Sequence, residues 1–282
     1  MSLPLITIVT PSFNQSPYLE KTILSVLDQD YPKLEYIIVD GGSSDGSQEI
    51  IQKYQDRLFW WVSENDEGMY DALNKGFAKG SGDIMCWLNA DDVLFPNALF
   101  TVAELFSVNK SIEWLTGVPV FMDKSGRILG TSSLRKWSRL SFAEYDYFFI
   151  QQEATFWKRS LWEKSGAYID TKYRLAGDFE LWARFFRYAD VYSAQTLLGC
   201  FRYRPGEQLS SLRQEAYHRE MMGIIQSIKL PTADKKRLRL IHFLQKIVKV
   251  LPFQFIHATI ERLYRYPRKI IYDTSINQYR LD

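Results

Sequence analysis

The sequence predicts an α/β fold with a mixed, mainly parallel sheet flanked by helices, and three observations support this class. Short runs of β-branched and apolar residues alternate with segments in which apolar residues recur at helical spacing. This alternation is typical of parallel strands joined by helical crossovers. Polar loops, several of them containing glycine, follow the strand runs, at the sheet edge where open α/β sheets bind ligands.

The predicted elements follow one another closely in the first half of the chain. Strands are predicted over residues 5–10, 36–39, 59–62 and 83–88, and helices over residues 19–27, 50–54, 69–78, 98–106 and 178–186. Beyond residue 212, Lys and Arg mix with Leu, Ile, Phe and Tyr. We therefore expect one large domain over residues 1–212, with halves at 1–110 and 111–212, and a basic, amphipathic helical appendage over 213–282.

Composition narrows the class of protein. The chain has 282 residues, 46% of them hydrophobic, and a net charge of +2. Such a chain can bury a sizeable core and has no overall charge that would favour nucleic acid as a partner. Cys86 and Cys200 lie far apart, without the spacing of a disulfide framework or a zinc site, and indicate buried thiols in a reducing compartment.

Neither a targeting signal nor a membrane span is predicted. The N-terminal residues lack the features of a secretory signal peptide, and no run reaches the ~18 apolar residues of a membrane span. We expect a cytoplasmic protein, with peripheral attachment to the inner face of the membrane as the alternative.

An acidic pair, Asp91 and Asp92, directly follows the fourth predicted strand. Divalent Mg²⁺ and Mn²⁺ take carboxylate oxygens together with phosphates and water, so the pair is a candidate metal and diphosphate site. A cap for the following helix is the alternative.

Two further strand ends carry acidic loops. Asp40 and Asp45 lie in a Gly- and Ser-rich loop, where backbone can approach a ligand closely, and residues 64–68 repeat the acidic pattern after the third strand. Ordinary turns are the alternative for each loop taken singly. Together, three acidic loops at one sheet edge predict a ligand site.

Four sequence blocks resemble family 2 glycosyltransferases. They are residues 7–14 (TIVTPSFN), 39–47 (VDGGSSDGS), 66–76 (DEGMYDALNKG) and 88–92 (LNADD). The last three are similar to members of the bacterial polysaccharide and colanic-acid type. The resemblance covers about the first 210 residues and implies the Rossmann-like GT-A fold of nucleotide-diphospho-sugar transferases, an inverting mechanism and a divalent metal, Mn²⁺ or Mg²⁺.

The resemblance also implies roles in binding the donor. Nucleotide-sugar contacts are expected from Pro11, Phe13, Asn14, Asp40, Asp66, Asn74, Asn89, Asp91, Arg202 and Arg204. The family usually has two consecutive acids in its second block, and Gly41 stands in place of the second. A UDP-sugar is favoured, with guanosine and thymidine donors left open.

The resemblance assigns the metal to Asp91, with Asp92 as the supporting acid that often follows. Asn89 stands where the motif usually has a first Asp, and it keeps an oxygen but carries no charge. Several relatives use a His near the late basic loop for metal, whereas this chain offers Arg202 and Arg204 there, which suit the diphosphate. A solvated basic loop is the alternative for these arginines, and a surface helix histidine is the favoured interpretation of His218.

The base that deprotonates the acceptor hydroxyl matches Asp178 in the block at residues 175–184. A helix cap is the alternative role, and Glu180 is the reserve candidate. Gln152 and Glu153 resemble a segment that lines the acceptor or donor sugar, for which a core segment is the alternative.

The resemblance thus implies an inverting transfer of sugar from a nucleotide-diphosphate donor to a saccharide or lipid-linked saccharide, in cell-surface polysaccharide or glycan synthesis. The basic segments 235–241 and 262–269 suit contact with anionic lipid, with a helix packed on the catalytic domain as the slightly preferred alternative. A sugar-nucleotide nucleotidyltransferase is a rival, although residues 11–14 do not form its Gly-rich phosphate loop. A non-catalytic nucleotide-sugar-binding relative is the second rival, because Asn89 and Gly41 depart from the usual motifs.

Overall fold

A computed structural model describes residues 3–144, 150–207, 213–250 and 254–282. The strands are β1 Ile6–Ser12, β2 Leu34–Asp40, β3 Trp60–Ser63, β4 Ile84–Trp87, β5 Val93–Leu94, β6 Trp114–Thr116, β7 Val120–Met122, β8 Ile128–Thr131, β9 Thr155–Lys158, β10 Tyr192–Ser193, β11 Gly199–Arg202, β12 Ile270–Asp273 and β13 Gln278–Leu281. The helices are α1 Ser16–Leu27, α2 Ser47–Lys53, α3 Met69–Phe77, α4 Ala98–Val108, α5 Arg139–Ala143, α6 Arg159–Lys164, α7 Gly177–Phe185, α8 Gln214–Ser227, α9 Thr232–Val250 and α10 Gln254–Tyr264, and short 3-10 turns cover Gln55–Arg57 and Gln152–Ala154.

The main sheet confirms the predicted α/β class. Its seven strands have the order β10-β6-β9-β4-β1-β2-β3. β4, β1, β2 and β3 are neighbours and run parallel, whereas β9 is antiparallel to β4 and β6. The carboxyl ends of the four parallel strands therefore meet at one edge, and the loops that carry the acidic blocks leave from it.

Helices cover both faces of this sheet. β1 and β2 are buried along almost their whole length, as expected of parallel strands with cover on both sides. On one face α1 packs through Leu19, Ile23 and Val26. The other face holds an aromatic cluster, in which Trp87 of β4 and Trp182 of α7 lie together with other buried rings.

A second, four-stranded sheet has the order β5-β11-β7-β8. β11 pairs antiparallel with β5, immediately after the Asp91–Asp92 pair, and parallel with β7. This pairing carries the basic residues at the end of β11 to the acidic pair more than 100 residues earlier. Sequence periodicity did not predict this sheet.

The C-terminal region contains the expected helices, α8 to α10, and also a hairpin of β12 and β13 that the sequence analysis did not predict. The backbone of Ile270 accepts a hydrogen bond from Gln195 N at 2.8 Å, beside the edge strand β10. The proposed domain boundary at residue 212 lies outside the described residues and stays a prediction. None of the helices in the described ranges is long and apolar enough to cross a membrane.

Candidate active site

The loops after β1 and β2 are held together by Asn14. Its backbone N–H donates to Ser43 Oγ at 2.8 Å, and its side-chain oxygen accepts from Ser44 N at 3.0 Å. Asn14 has a φ of 51°, a left-handed conformation that Asn tolerates better than most residues. Phe13 is exposed beside it while Pro11 is buried in β1, so Phe13 offers an open ring face at the sheet edge.

The carboxylate of Asp40 is fully buried and organises the second loop. It accepts hydrogen bonds from Gly42 N, Ser43 N and the hydroxyls of Ser43 and Ser63, at 2.5–3.1 Å. Both carboxylate oxygens of Asp40 thus accept hydrogen bonds from other groups of the protein. Contact of Asp40 with a base or ribose stays a prediction.

Asp66 fills the space beside Gly41. A Cβ placed at position 41 would lie 2.8 Å from Asp66 Oδ2, which is closer than Cβ atoms approach other heavy atoms in folded proteins. The other oxygen, Oδ1, accepts from Gly68 N at 2.8 Å. The carboxylate of Asp66, from the third loop, therefore occupies the space that a side chain at position 41 would take, a contact that the local sequence does not reveal.

Asn74 is engaged within the fold. Its amide donates to Ile169 O at 2.8 Å and accepts from Ile169 N at 2.7 Å, so it fastens α3 to the segment before α7. Its predicted contact with the donor is untested.

Asp91 forms a salt bridge with Arg204. Nη2 and Nε of Arg204 both donate to Asp91 Oδ2, at 2.6 and 2.9 Å, and each side chain is only 11% exposed. The guanidinium also lies over the ring of Tyr18 in α1, 4.8 Å from the centroid. The structure thus brings together the predicted metal ligand and the predicted diphosphate ligand.

Asp92 and Arg202 hold the acidic loop in place. Asp92 is fully buried, and its carboxylate accepts from Arg202 N at 2.8 Å and Asn89 Nδ2 at 3.2 Å. Arg202 is also buried, and its guanidinium donates to Asp91 O and to two backbone carbonyls of the loop after β7. The side chains of Asp92 and Arg202 therefore both form hydrogen bonds that fix the conformation of the acidic loop. Their roles toward metal and diphosphate stay predictions.

Three buried acceptors near this loop have no hydrogen-bond partner among the described residues: Asn89 Oδ1, Gln152 Oε1 and Glu153 Oε1. Gln152 donates to Trp87 O, which places it at the end of β4. An unpaired buried acceptor costs about 1–3 kcal/mol. Such atoms are expected where a ligand supplies hydroxyl donors or a cation.

Glu153 carries a strongly perturbed carboxyl group. Burial, together with smaller contributions from the negative charges of Asp91 and Asp178, raises its pKa to about 8. Burial also raises the pKa of Asp92 well above its usual range, with added contributions from Asp91 and Glu153. The charges of both Asp91 and Asp178 act on Glu153. The metal candidate, Asp91, and the base candidate, Asp178, therefore share one electrostatic environment.

The donor set fits a divalent ion only in part. Within the described ranges no group of three His, Cys, Asp or Glu side chains is arranged to hold a metal. Mg²⁺ and Mn²⁺ need one or two carboxylates when phosphates supply the other ligands. Asp91 can meet that need, but Arg204 lies on its carboxylate.

Asp178 lies in the first turn of α7. Its Oδ1 accepts from Phe179 N at 2.8 Å, and burial raises its pKa to about 6. The side chain is half-buried, so it faces both protein and solvent. A carboxyl group with this pKa is mostly ionised at neutral pH and accepts a proton more readily than an ordinary Asp.

Glu180, the reserve base, is paired with Arg184. Arg184 Nε donates to both oxygens of Glu180 at 2.9 Å. The side chain of Glu180 is 13% exposed and that of Arg184 is 6% exposed. Arg184 also donates to the backbone carbonyls of Ser165 and Tyr168. Glu180 thus lies in a nearly buried ion pair, which favours Asp178 as the base.

Sequence reasoning missed Glu220. This residue lies on α8, and its carboxylate accepts from the backbone N–H groups of Arg174, Leu175 and Ala176 at 2.8–3.1 Å. It therefore fixes the loop that leads into Asp178. His218, on the same helix, is exposed, as its surface interpretation predicts. A lone Glu on an amphipathic helix carries no local signal of this long-range role.

Tyr70 and Tyr18 were also missed. Tyr70, in the third block, donates to Leu175 O and accepts from Gly177 N, both at 2.9 Å, so it joins α3 to the start of α7. Tyr18 packs under the guanidinium groups of Arg202 and Arg204. Tyr70 lay within a recognised block, whereas Tyr18 had no distinguishing pattern.

Comparison with known proteins identifies the class. Residues 7–164 match the family described as Glycosyl transferase family 2, and the chain belongs to this family. An uncharacterized glycosyltransferase of Rickettsia prowazekii is 28% identical over 195 residues, which cover 67% of this chain and 61% of the relative. The putative teichuronic acid biosynthesis glycosyltransferase TuaG of Bacillus subtilis is 39% identical over 92 residues, 32% of this chain and 36% of TuaG. The alignment thus spans about three fifths of the Rickettsia relative and a smaller part of TuaG.

Solved structures agree on the fold, which is GT-A. S. aureus TarS residues 1–349 in complex with UDP-GlcNAc superposes with a TM-score of 0.65 at 18% identity, covering 87% of this chain and 73% of that one. The mannosyltransferase PcManGT from Pyrobaculum calidifontis, in complex with GDP-Man and Mn²⁺, gives 0.57 at 15% identity, covering 94% and 86%. The expected fold and family are therefore confirmed.

Proposed function

We propose that this protein is an inverting glycosyltransferase that moves a sugar from a nucleotide-diphosphate donor to an acceptor hydroxyl. The observation that carries the proposal is the stacking of Trp87, which ends β4 four residues before Asp91, on Trp182, which lies one helical turn after Asp178. The elements that carry the candidate diphosphate site and the candidate base are therefore packed against each other, and the charges of Asp91 and Asp178 add to burial in raising the pKa of Glu153. Family membership supports glycosyl transfer as the reaction class.

In the proposed reaction, Asp178 takes the proton of the acceptor hydroxyl while the acceptor oxygen attacks the anomeric carbon. The bond from that carbon to the diphosphate breaks on the opposite face, which inverts the configuration. Arg204 donates to the departing diphosphate, as guanidinium groups do bidentately. A divalent ion held by Asp91 would neutralise charge on that leaving group.

A UDP-sugar is the first donor to test, followed by guanosine and thymidine donors, and the two solved relatives were complexed with UDP-GlcNAc and with GDP-Man. The exposed ring of Phe13 and the carboxylate of Asp66 support contact with a base or ribose. Asn89, Gln152 and Glu153 offer acceptor oxygens for sugar hydroxyls, because one oxygen of each has no partner in the described part of the chain.

A panel of nucleotide sugars tests this function. The full chain is incubated with each donor and Mn²⁺, and release of the nucleoside diphosphate is measured beside the shift in thermal unfolding. We expect turnover with one donor class, lost in Asp178→Asn. Donor-induced stabilisation without any turnover, with and without candidate acceptors, would instead support the non-catalytic binding alternative.

We also propose a lipid-linked saccharide acceptor and a role in cell-surface polysaccharide synthesis. The similarity to TuaG, a putative teichuronic acid biosynthesis glycosyltransferase, supports the polysaccharide role. Support for membrane contact comes from a cavity of about 670 Å³ between the main domain and α10. Five of its lining residues are basic, against one acidic residue, Glu261: Arg135, Lys136, Arg262, Arg265 and Lys269.

Vesicle flotation tests the membrane contact. Each basic residue near an anionic surface contributes about 1 kcal/mol, so we expect Arg262→Gln with Arg265→Gln to weaken binding to anionic vesicles by roughly tenfold or more. Arg213→Gln, just before α8, combined with Arg219→Gln on α8 is the matched control. Equal binding to neutral and anionic vesicles by the parent chain would remove the proposal.

A further inference from the structure

The salt bridge between Arg204 and Asp91 conflicts with a simple metal site. Two nitrogens of one guanidinium donate to Asp91 Oδ2, and both side chains are almost enclosed. A divalent ion on the same carboxylate would sit within a few ångströms of the guanidinium. With little water to screen them, the two cations would repel strongly.

The neighbouring acids do not replace Asp91. The oxygens of Asp92 accept from Arg202 N and Asn89 Nδ2, and the Asp92 side chain is fully buried. Asp92 and Glu153 do not combine with Asp91 into a three-ligand cluster within the described ranges. A metal must therefore compete with Arg204 for one carboxylate.

Arg204 has further contacts that keep it near the site if it leaves Asp91. Its guanidinium lies over Tyr18, and its Nη1 is 3.6 Å from Glu207 Oε2. Gly206, two residues on, has a φ of 80°, which only a glycine adopts easily. A diphosphate placed beside Asp91 would offer the guanidinium a more highly charged partner than one carboxylate.

We propose that Arg204 is a latch that occupies the cation position on Asp91 until donor diphosphate draws it away. This inference rests on the proposed function, because it assumes that diphosphate binds next to Asp91. The latch makes metal binding and diphosphate binding mutually dependent, since each removes one partner of the same ion pair. By linkage, breaking the pair from either side strengthens binding at the other.

Two single-ligand titrations test the latch. Mn²⁺ alone is titrated by calorimetry into the parent chain and Arg204→Ala, and we expect about tenfold tighter binding in the variant. Inorganic diphosphate alone, with chelator present, is titrated into the parent chain and Asp91→Asn. Here too we expect about tenfold tighter binding, because Arg204 is released.

Loss of charge alone is controlled by a neighbouring ion pair, Arg127 with Asp123, in the turn after β7. Arg127→Gln removes a positive charge and Asp123→Asn a negative one, and neither change breaks the Arg204–Asp91 bond. If Arg127→Gln tightens Mn²⁺ binding, or Asp123→Asn tightens diphosphate binding, as much as the latch variants do, the latch is wrong. Affinities within twofold of the parent in both latch variants also overturn it.

Arg204→Lys serves if Arg204→Ala fails to fold, and it should give an intermediate Mn²⁺ affinity because Lys lacks the planar fork. The experiments distinguish a failure of the latch from a failure of the proposed function. Reciprocal affinity changes without sugar transfer would overturn the function and keep the latch. Transfer with unchanged affinities would overturn only the latch.

Discussion

The indole rings of Trp87 and Trp182 are stacked, with centroids 5.8 Å apart and planes within 8° of parallel. Trp87 ends β4, four residues before Asp91, and Trp182 lies one helical turn after Asp178. The stack therefore connects the element that carries the diphosphate candidate to the element that carries the base candidate. Trp182 also stacks on Trp114 of β6, which extends the contact across the sheet.

Replacing Trp182 should lower both stability and turnover. Trp182→Leu leaves a cavity in the aromatic cluster, and large-to-small core changes of this kind cost about 3–5 kcal/mol. We expect a lower unfolding temperature together with a reduced kcat, because α7 loses its fixed position relative to β4. Trp137→Leu, at another buried Trp, is the matched control and should lower stability while largely preserving kcat. Equal loss of kcat in both variants would show that the stack has no special role.

The pH dependence of transfer should report Asp178. Its pKa is raised to about 6, and the base must be ionised, so kcat/KM should fall about tenfold per pH unit below pH 6. Asp178→Asn should reduce kcat by about 10²–10⁴, the usual contribution of a general base. A pH–rate profile with a saturating donor measures both.

Glu180→Gln is the matched control, since it makes the same chemical change two residues away. It breaks the ion pair with Arg184 and should lower the unfolding temperature, while the acidic limb of the profile stays in place. If Glu180→Gln removes the limb and Asp178→Asn does not, the two assignments must be exchanged.

Glu153 should make the protein less stable as pH rises. Its pKa in the folded protein is about 8, against an ordinary value near 4.5, so the folded state keeps a proton that the unfolded state has lost. The contribution of Glu153 to the free energy of unfolding is therefore greatest below pH 4.5 and decreases as the pH rises to about 8. Glu153→Gln cannot titrate, so its gain in unfolding temperature over the parent should grow from pH 5 to pH 8. A constant difference across that range would contradict the raised pKa.

Much of the fold, but less of the site, was predictable from sequence. The parallel strands follow from apolar runs a few residues long, and the helices from apolar spacing within one segment, so local patterns suffice for both. The Arg204–Asp91 pair joins residues 113 positions apart. The space beside Gly41 is filled by Asp66 from another loop. Such contacts depend on how loops meet after folding, and a single sequence carries no period that marks them.

The close approach of Asp66 to Gly41 gives a prediction about donor binding. In Gly41→Ala the new Cβ would lie 2.8 Å from Asp66 Oδ2, so the carboxylate must move. We expect the donor KM to rise about fivefold or more, with little change in kcat, as for a lost binding contact. Gly223→Ala is the control, because an added Cβ there meets nothing within 4 Å. An unchanged donor KM in Gly41→Ala would mean that the position of Asp66 does not matter for binding.

Glu220 should position the base from outside the predicted catalytic domain. Its carboxylate accepts hydrogen bonds from three backbone N–H groups in the segment that leads into α7. Burial is the main cause of the raised pKa of Asp178, and the negative charge of Glu220 is a smaller one. Glu220→Gln keeps one acceptor oxygen but removes the charge and places an NH₂ group against backbone donors. We expect kcat to fall about tenfold and the acidic limb of the pH profile to move to lower pH. Glu215→Gln, on the exposed face of the same helix, should change neither quantity. A loss of stability without movement of the limb would show that Glu220 supports the fold alone, and the base would then be set entirely by residues before position 212.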